Sequence, residues 1–375
     1  MQILIKYIKF LILSKKKFFL PKSASILIFD FTGSTNFIKY LKKYNYSILR
    51  TRFEELNISI LFKTLINFQF NYQNYLMNYI KAVNPKIILT FIDNNPLFYK
   101  LKNKDTNFKT IFIQNGIRSS FNDIFANKHK LKKKDNFVDY MFVANKIYAK
   151  KYSSFIKGKT IPIGFFRNNM FRILKAKKKK EVLLISVFRN YKNDKQIHKN
   201  INFGVFFSNE PFFLKWLNDY CIKNNLKVNI LARSSKLKDF MVEKKYFKKF
   251  FLSANLIYEK YNPYKHIDSY EYIITNDSTL GIENLSRGGK TAFICNSPNI
   301  YPLTTRKFGF NENFKKNGPF WTWENKIKRF EKVLNFLIKS KNNEWQKYTK
   351  NIFIRDDKNK VFMKNLKKLL HFHKN

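Results

Sequence analysis

In the run TNDSTLGIENLSRGG, Asn276, Asp277, Ser278 and Thr279 supply N-cap chemistry for a helix starting near Leu280, directly after the apolar strand Tyr272–Ile274. The first N–H groups of a helix have no intrahelical partner and carry the positive end of its dipole, so an anion can be held there without any arginine. Ser278 and Thr279 add hydroxyl donors, Gly281 leaves room in the first turn, and Glu283 lies one turn in, where it can accept both hydroxyls of a ribose. A capped turn in an ordinary α/β domain uses the same residue types.

Other candidates sit at the ends of apolar runs. Gln114, Asn115, Gly116 and Arg118 follow TIFIQ, where Asn-Gly marks a turn and the flanking side chains can contact a sugar or phosphate. Arg189 follows EVLLISVF and Arg233 follows KVNIL, and guanidinium forks so placed can take a diphosphate bidentately. Asp30-Phe31-Thr32-Gly33-Ser34-Thr35 follows the first strong strand, with Gly33 able to admit a ligand closely or simply to make a turn. Among the carboxylates near loops of the first half, Asp30, Asp93 and Asp123, the one in FIDNNP, Asp93, is the candidate general base.

The elements that must position these residues alternate. Strands are expected at 25–31, 46–50, 86–92, 110–114 and 140–144, with helices at 35–44, 56–83 (with a break) and 97–102. After a basic linker at 167–180 the pattern restarts, with strands at 181–187, 227–231, 256–258, 272–275 and 291–295 and helices at 212–225, 237–250, 280–287 and 326–339. The fold class is α/β with two Rossmann-like domains, residues 1–170 on the acceptor side and 171–340 on the donor side, followed by C-terminal helices at 341–375. Trp321 and Trp323 are expected near the interdomain region. In open parallel sheets, ligands bind outside the carboxyl ends of the strands, so these loops should face the gap between the halves.

Composition narrows the classes. With 375 residues, two domains are expected, and 45% hydrophobic and 18% aromatic content excludes a disordered chain. The 73 Lys and Arg against 25 Asp and Glu give a formal charge of +48, which ordinarily indicates nucleic acid or anionic membrane. Here the excess is of Lys, Asn, Ile, Phe and Tyr together, the residues AT-rich coding favours, so runs such as Lys177–Lys180 read as solvated surface. Nucleic acid is not the expected partner; the nearest motif, Arg306–Phe310, lacks the leading glycine of an RNA-recognition strand. Cys221 and Cys295 are too isolated for a disulfide framework or a zinc site, the five histidines show no metal spacing, and neither a metal nor a cofactor is expected. The opening MQILIKYIKFLILSKKK is too short and too charged to span a bilayer and has the wrong charge order for a signal peptide, but it suits either an interfacial helix on an anionic membrane or a segment packed on its own domain. A cytoplasmic protein, peripheral at the inner face of the plasma membrane, fits these features.

TNDSTLGIENLSRGGKTAFI, QNGIR, NGPFWTWENKIKRFEKVLNFL and DDKNKVFMKNL together resemble a bacterial family of surface-carbohydrate, or O-antigen, biosynthesis proteins, chiefly over residues 270–365. More distantly, the Asn-Asp-Ser-Thr-Leu-Gly-Ile-Glu pattern is similar to the nucleotide-sugar site of the glycosyltransferase B fold and of UDP-N-acetylglucosamine 2-epimerase. The resemblance implies phosphate contacts for Ser278 and Thr279, a ribose contact for Glu283, a nucleotide-sugar donor as substrate and a glycan or lipid-linked acceptor. The epimerase's paired acidic and histidine constellation is missing, and so is an Asp-X-Asp metal motif. The expected activity is metal-free transfer of a sugar in O-antigen or lipopolysaccharide synthesis. An epimerase or polyol-phosphate transferase on the same fold, and a non-catalytic basic RNA- or membrane-binding protein, are the alternatives.

Overall fold

The structure, a computed structural model, describes residues 11–52, 54–69, 71–102, 106–118, 124–125, 131–175, 177–189, 203–298, 315–350 and 352–371. Most of the N-terminal segment, Asp123, His129, His198, Arg306–Phe310 and His373 lie outside them. The chain divides into two compact units: one is Met1–Asn115, Lys128–Arg167 and Asn359–Asn375, the other Gly116–Asn127 and Asn168–Lys358.

In the first unit, a two-stranded parallel ribbon pairs β1 (Lys15–Lys17) with β4 (Glu55–Asn57). Its main sheet holds β2 (Ile26–Phe29), β3 (Tyr46–Leu49), β5 (Ile87–Thr90), β6 (Lys109–Ile113), β7 (Phe137–Val143) and β8 (Lys157–Pro162), all parallel, in the order β3-β2-β5-β6-β7-β8. Ile26, Leu27, Ile28 and Phe29 are all fully buried, as are Ile87, Ile88 and Leu89, which is why these strands read as unbroken apolar runs. Asparagine starts most helices here: Asn57, Asn71, Asn95 and Asn145 each turn a side-chain oxygen to a backbone N–H two or three residues on. The expected helix at 56–83 is two helices, Ile58–Ile66 and Tyr72–Val83.

Strand β8 was not expected, because KGKTIP is polar and ends in proline; both features suit an edge strand, which needs no second partner. The C-terminal residues do not form a separate extension. Helix Asn342–Thr349 seats Trp345 against Phe320 and Phe336 in the second unit, with ring centroids 4.7 and 5.2 Å apart. Lys358 and Asn359 then take left-handed conformations, and helix Lys360–His371 packs Phe362 on Phe142 and Phe166 of the first unit at 5.2 and 5.1 Å.

The second unit carries β9 (Lys179–Ile185), β10 (Val228–Leu231), β11 (Asn255–Ile257), β12 (Tyr270–Thr275), β13 (Lys290–Ile294) and β14 (Trp321–Thr322) in the order β11-β10-β9-β12-β13-β14, again all parallel. Counted along this sheet, the order is the doubly wound 3-2-1-4-5-6, whose direction of winding reverses between β9 and β12. Trp321 and Trp323 are both buried in this unit, Trp321 donating its ring N–H to the Lys315 carbonyl at 3.0 Å.

Helix Tyr264–Ser269 and helix Thr279–Ser286 flank β12 and are joined by a buried ion pair. Arg287 and Asp268 are 1% and 3% exposed at the side chain. Arg287 donates Nε to Asp268 Oδ1 (2.7 Å) and NH2 to Oδ2 (2.5 Å), and its remaining N–H groups reach Asn168 Oδ1 and the carbonyls of Phe171 and Arg172 at 2.9–3.1 Å. Asp268 Oδ2 also accepts the Leu174 N–H at 3.0 Å. Removing one partner of such a pair strands a buried charge, so Arg287→Ala should cost about 3–5 kcal/mol. Urea unfolding checks this, and a loss within a few tenths of a kcal/mol would show the pair to be dispensable.

Candidate functional site

Doubly wound sheets take ligands at the carboxyl ends of the strands where the winding reverses, here β9 and β12, and the chain furnishes that end with most of the candidates from the second half. Thr275 Oγ1 donates to the Ile185 carbonyl at 3.1 Å, tying the two strand ends together. Beyond β9, Ser186 Oγ accepts the Phe188 N–H at 3.0 Å, making a tight turn that presents Arg189. Beyond β12, Cys295 Sγ at the end of β13 donates to the Asn276 carbonyl at 2.8 Å and fixes that loop from the other side.

The expected helix start is present. Ser278 is the N-cap of helix Thr279–Ser286 and its Oγ accepts the Leu280 N–H at 3.3 Å, leaving its own proton for donation. Gly281 is required by packing: a Cβ there would lie 2.7 Å from Thr275 Cγ2 and 3.1 Å from Thr291 Cγ2, so glycine lets the helix sit directly on β12 and β13. Gly116 also reaches this place, since a Cβ on it would stand 3.9 Å from Thr279 Oγ1. Glycine and hydroxyl thus come from two motifs far apart in sequence.

Asp277 retains open surface, yet loss of solvation among the surrounding protein atoms holds its carboxyl above the usual carboxylate range, against the pull of Arg189 and Arg233. Both arginines are therefore electrostatic neighbours of the helix start. Arg233 is fixed at two points: its guanidinium NH1 donates to the Phe188 carbonyl at 3.1 Å, and its backbone N–H donates to Glu243 Oε1 at 2.9 Å. The second oxygen of Glu243 accepts the Ser234 N–H at 3.0 Å. Glu243 has no exposed surface, so this fully buried carboxylate sets the loop that aims Arg233.

Glu210, at the start of helix Glu210–Lys223, is buried beside this group and accepts the Tyr246 hydroxyl at 2.9 Å. Burial pushes its carboxyl up to about 7, with the charges of Glu243 and Asp277 adding to the rise and the Tyr246 bond opposing it. Glu283 is also buried, and its Oε2 accepts the hydroxyl of Tyr264 at 3.0 Å. That bond fixes the carboxylate one turn below Thr279. Among the described residues, no group of three or more His, Cys, Asp or Glu gathers within metal-holding reach.

The candidates from the first half behave differently. Asp93 has no exposed surface; its Oδ1 accepts the Asn115 N–H at 2.9 Å, its Oδ2 accepts the Tyr152 hydroxyl, and its carbonyl accepts the Tyr99 hydroxyl. A general base must reach the proton it removes, and this carboxylate instead locks the loop at Asn115. Gln114 is buried and caps the neighbouring strand by accepting the Ala144 N–H at 2.9 Å. Asp30 accepts the Thr32 N–H and Arg52 Nε, each at 2.8 Å. Gly33 is needed for its φ of +74° and because a Cβ would stand 2.5 Å from the Phe91 ring, so the close approach is to its own core. Arg118, half-buried, belongs to the second unit. Sequence reasoning missed Glu210, Glu243 and Tyr264; helices Glu210–Lys223 and Leu237–Phe247 each carry a second acid, Asp219 and Asp239, and no local signal singles out the buried one.

Two parallel-sheet units, one of them a 3-2-1-4-5-6 sheet, make up a glycosyltransferase-B-type fold. The chain belongs to the family described as putative O-antigen biosynthesis protein, whose model matches residues 111–370, well over half of its length. No curated protein matches its sequence. Among solved structures it is similar to the wall teichoic acid polymerase TagF soaked with CDPG (12% identity, TM-score 0.51, covering 94% of this chain and 90% of that one). UDP-GlcNAc 2-epimerase from Neisseria meningitidis bound to UDP-GlcNAc is likewise similar (13% identity, TM-score 0.52, covering 92% of this chain and 99% of that one). No helix among the described residues is long and apolar enough to cross a membrane.

The raised Glu210 carboxyl makes stability depend on pH. A native pKa of about 7 above the ordinary 4.5 means that folding takes up a proton, so full stability holds below about pH 4.5 and declines as pH rises through about 7. Glu210→Gln keeps an acceptor for Tyr246 and removes the charge. It should match the wild type in urea unfolding at pH 5 more nearly than at pH 8, where it should be more stable by roughly 1–3 kcal/mol. An equal difference at both values would show that Glu210 does not titrate in this range.

Proposed function

We propose that the protein is a glycosyltransferase of O-antigen synthesis that holds a nucleoside-diphosphate sugar in the β9–β12 crevice of its second unit. The observation that carries this reading is the convergence, on one sheet end, of a hydroxyl-bearing helix start, two arginines and a buried glutamate one turn below. Charge develops on the leaving diphosphate as the glycosidic bond breaks. The helix dipole, the Ser278 and Thr279 hydroxyls and the guanidinium groups of Arg189 and Arg233 are aimed at that charge before the reaction begins, which is where electrostatic catalysis is most effective.

Asp277 has a place in this scheme. It holds the two arginines at the crevice while no donor is bound, and a diphosphate, with its larger charge, takes them over. Gly116 brings the Asn115–Arg118 turn against Thr279, so that turn contacts the sugar or its phosphate. Glu283, its carboxylate oriented by the Tyr264 hydroxyl, is the acceptor for the ribose hydroxyls. The acceptor is a glycan or lipid-linked glycan, engaged by the first unit. Its base is not Asp93, whose oxygens are occupied.

The likeness to TagF soaked with CDPG favours one second reading, transfer of a polyol phosphate from a cytidine diphosphate carrier bound in the same crevice. Calorimetry with UDP, CDP, GDP and their sugars separates the two, with single-stranded RNA as a comparator. Glu283→Ala would strand the buried Tyr264 hydroxyl as well as removing a ribose acceptor, so the cleaner variant is Glu283→Gln, which keeps the Tyr264 bond. It should weaken the tightest nucleotide about fivefold, corresponding to roughly 1 kcal/mol for exchanging a charged acceptor for a neutral one, with little change in unfolding midpoint. Unchanged affinity for every nucleotide that binds the wild type would remove Glu283 from the ribose site.

A further inference from the structure

The helix Ile58–Ile66, ISILFKTLI, carries apolar residues on every side, with Ser59, Lys63 and Thr64 as its polar ones, and apolar residues all round are found in helices buried on every side or immersed in lipid. This one is buried on only one side. Ile60 and Thr64 face the core of the first unit, while Phe62 (63% exposed), Leu65 and Ile66 lie on the diametrically opposite face and are open.

A second apolar segment is fixed beside it. Strand β1 pairs with β4, which runs straight into the helix, and the chain then continues through Phe18, Phe19 and Leu20. The Phe18 carbonyl accepts the Ser59 hydroxyl and the Phe19 carbonyl accepts Asn57 Nδ2 at 2.8 Å, so the backbone is anchored at the start of the helix while the Phe19 ring is 90% exposed. At the other end of the helix Phe68 is 82% exposed in a left-handed conformation, φ +54°, which a bulky residue adopts at a cost that asparagine or glycine would largely avoid. Single exposed apolar residues are common on proteins, but several exposed aromatic and aliphatic residues gathered on one helix and on the segment anchored at its start mark an interaction site.

Its surroundings identify the partner. Lys15 and Lys17 alternate to one side of β1 and are exposed, Lys22 follows the apolar segment, and Lys63 stands on the helix itself. The two acids at this edge are already engaged: Glu55 pairs with Arg50 at 3.3 Å and Glu54 accepts the Arg52 N–H at 2.9 Å. Aromatic and aliphatic side chains ringed by lysines match an anionic bilayer surface, where rings enter the headgroup layer and ammonium groups stay among phosphates.

We infer that the Phe18–Leu20 segment and the outer face of helix Ile58–Ile66 dock the first unit on an anionic lipid surface. The surface lies wholly within one unit and owes nothing to the nucleotide crevice, so this proposal and the transferase reading stand or fall separately. Lipid docking would bring a glycosyltransferase to lipid-linked acceptors.

Sedimentation of the full chain with vesicles of phosphatidylglycerol and phosphatidylcholine, and with phosphatidylcholine alone, tests it. Phe18→Ser, Phe19→Ser and Phe62→Ser combined alter only exposed side chains and should reduce binding to the anionic vesicles about tenfold or more at physiological salt, with nucleotide affinity and unfolding midpoint unchanged. Lys15→Gln with Lys17→Gln should weaken binding about fivefold per lysine at low salt and less as salt rises. Leu252→Ser, at a 92% exposed position of the second unit, should leave it intact. Undiminished binding by the triple phenylalanine variant would overturn the proposal in favour of attraction by the general surface charge. Equal loss on Leu252→Ser would overturn it too. So would light scattering that finds the wild type dimeric and the triple variant monomeric, since the patch would then be covered by a second copy of the chain.

Discussion

The buried pair of Arg287 and Asp268 is the constraint on which the crevice-bearing unit depends. One guanidinium bonds both oxygens of a carboxylate and three further acceptors on residues 168–172, and its face lies 5.1 Å from the centre of the Tyr264 ring. Three pieces of chain meet there: the segment that enters the unit, the helix before β12 and the end of the helix after it. Tyr264 in turn donates to Glu283. The orientation of the buried glutamate is therefore set by a salt bridge one further turn along the same helix, and neither charge could be buried at this point without the other.

Much of this was legible because parallel strands buried on both faces leave an unmistakable trace. Runs such as ILIF and IILT can hardly be anything else in a chain whose turns are rich in Asn, Asp and Gly, and the restart near residue 180 follows from a second set of such runs. The helix start at Ser278 was legible because capping is local chemistry. What was not legible is long-range. The edge strand KGKTIP looks like a loop until β7 offers it hydrogen bonds, and the split of the C-terminal helices between units depends on partners, Phe142 and Phe166 for one and Phe320 and Phe336 for the other, that lie far away in sequence.

The candidate site divides along the same line. Residues whose role rests on the local backbone, Ser278, Thr279 and Gly281, sit where their spacing put them. Asp93 also sits directly after a strong strand, as the sequence suggested, but strand-end position alone does not distinguish a carboxylate open to substrate from one that bonds a tyrosine and a backbone amide. That choice is made by Tyr152 and Asn115, on other elements. Gly33 shows the same ambiguity, because a glycine beside a strand end admits either a ligand or a phenylalanine of the core, and here it admits Phe91.

A chain with 73 basic residues has no shortage of cations for a phosphate, so the scarce resource is a carboxylate that makes some of them particular. Freely mobile lysines attract any polyanion in proportion to salt-screened charge, with little selection by shape. Arg233 is different: Glu243 pins its backbone and the Phe188 carbonyl pins its guanidinium, while Asp277 faces it and Arg189 across the strand ends. Glu210 lies beside Glu243 and Asp277 on a further helix, its carboxyl pushed up to about 7 by burial. Glu243 and the Phe188 carbonyl thus fix Arg233 at its backbone and at its guanidinium, while Asp277 weakens the raw attraction of both arginines for anions. In a protein this basic, selectivity for the proposed nucleoside-diphosphate donor over bulk polyanions would depend on that restraint more than on the total charge.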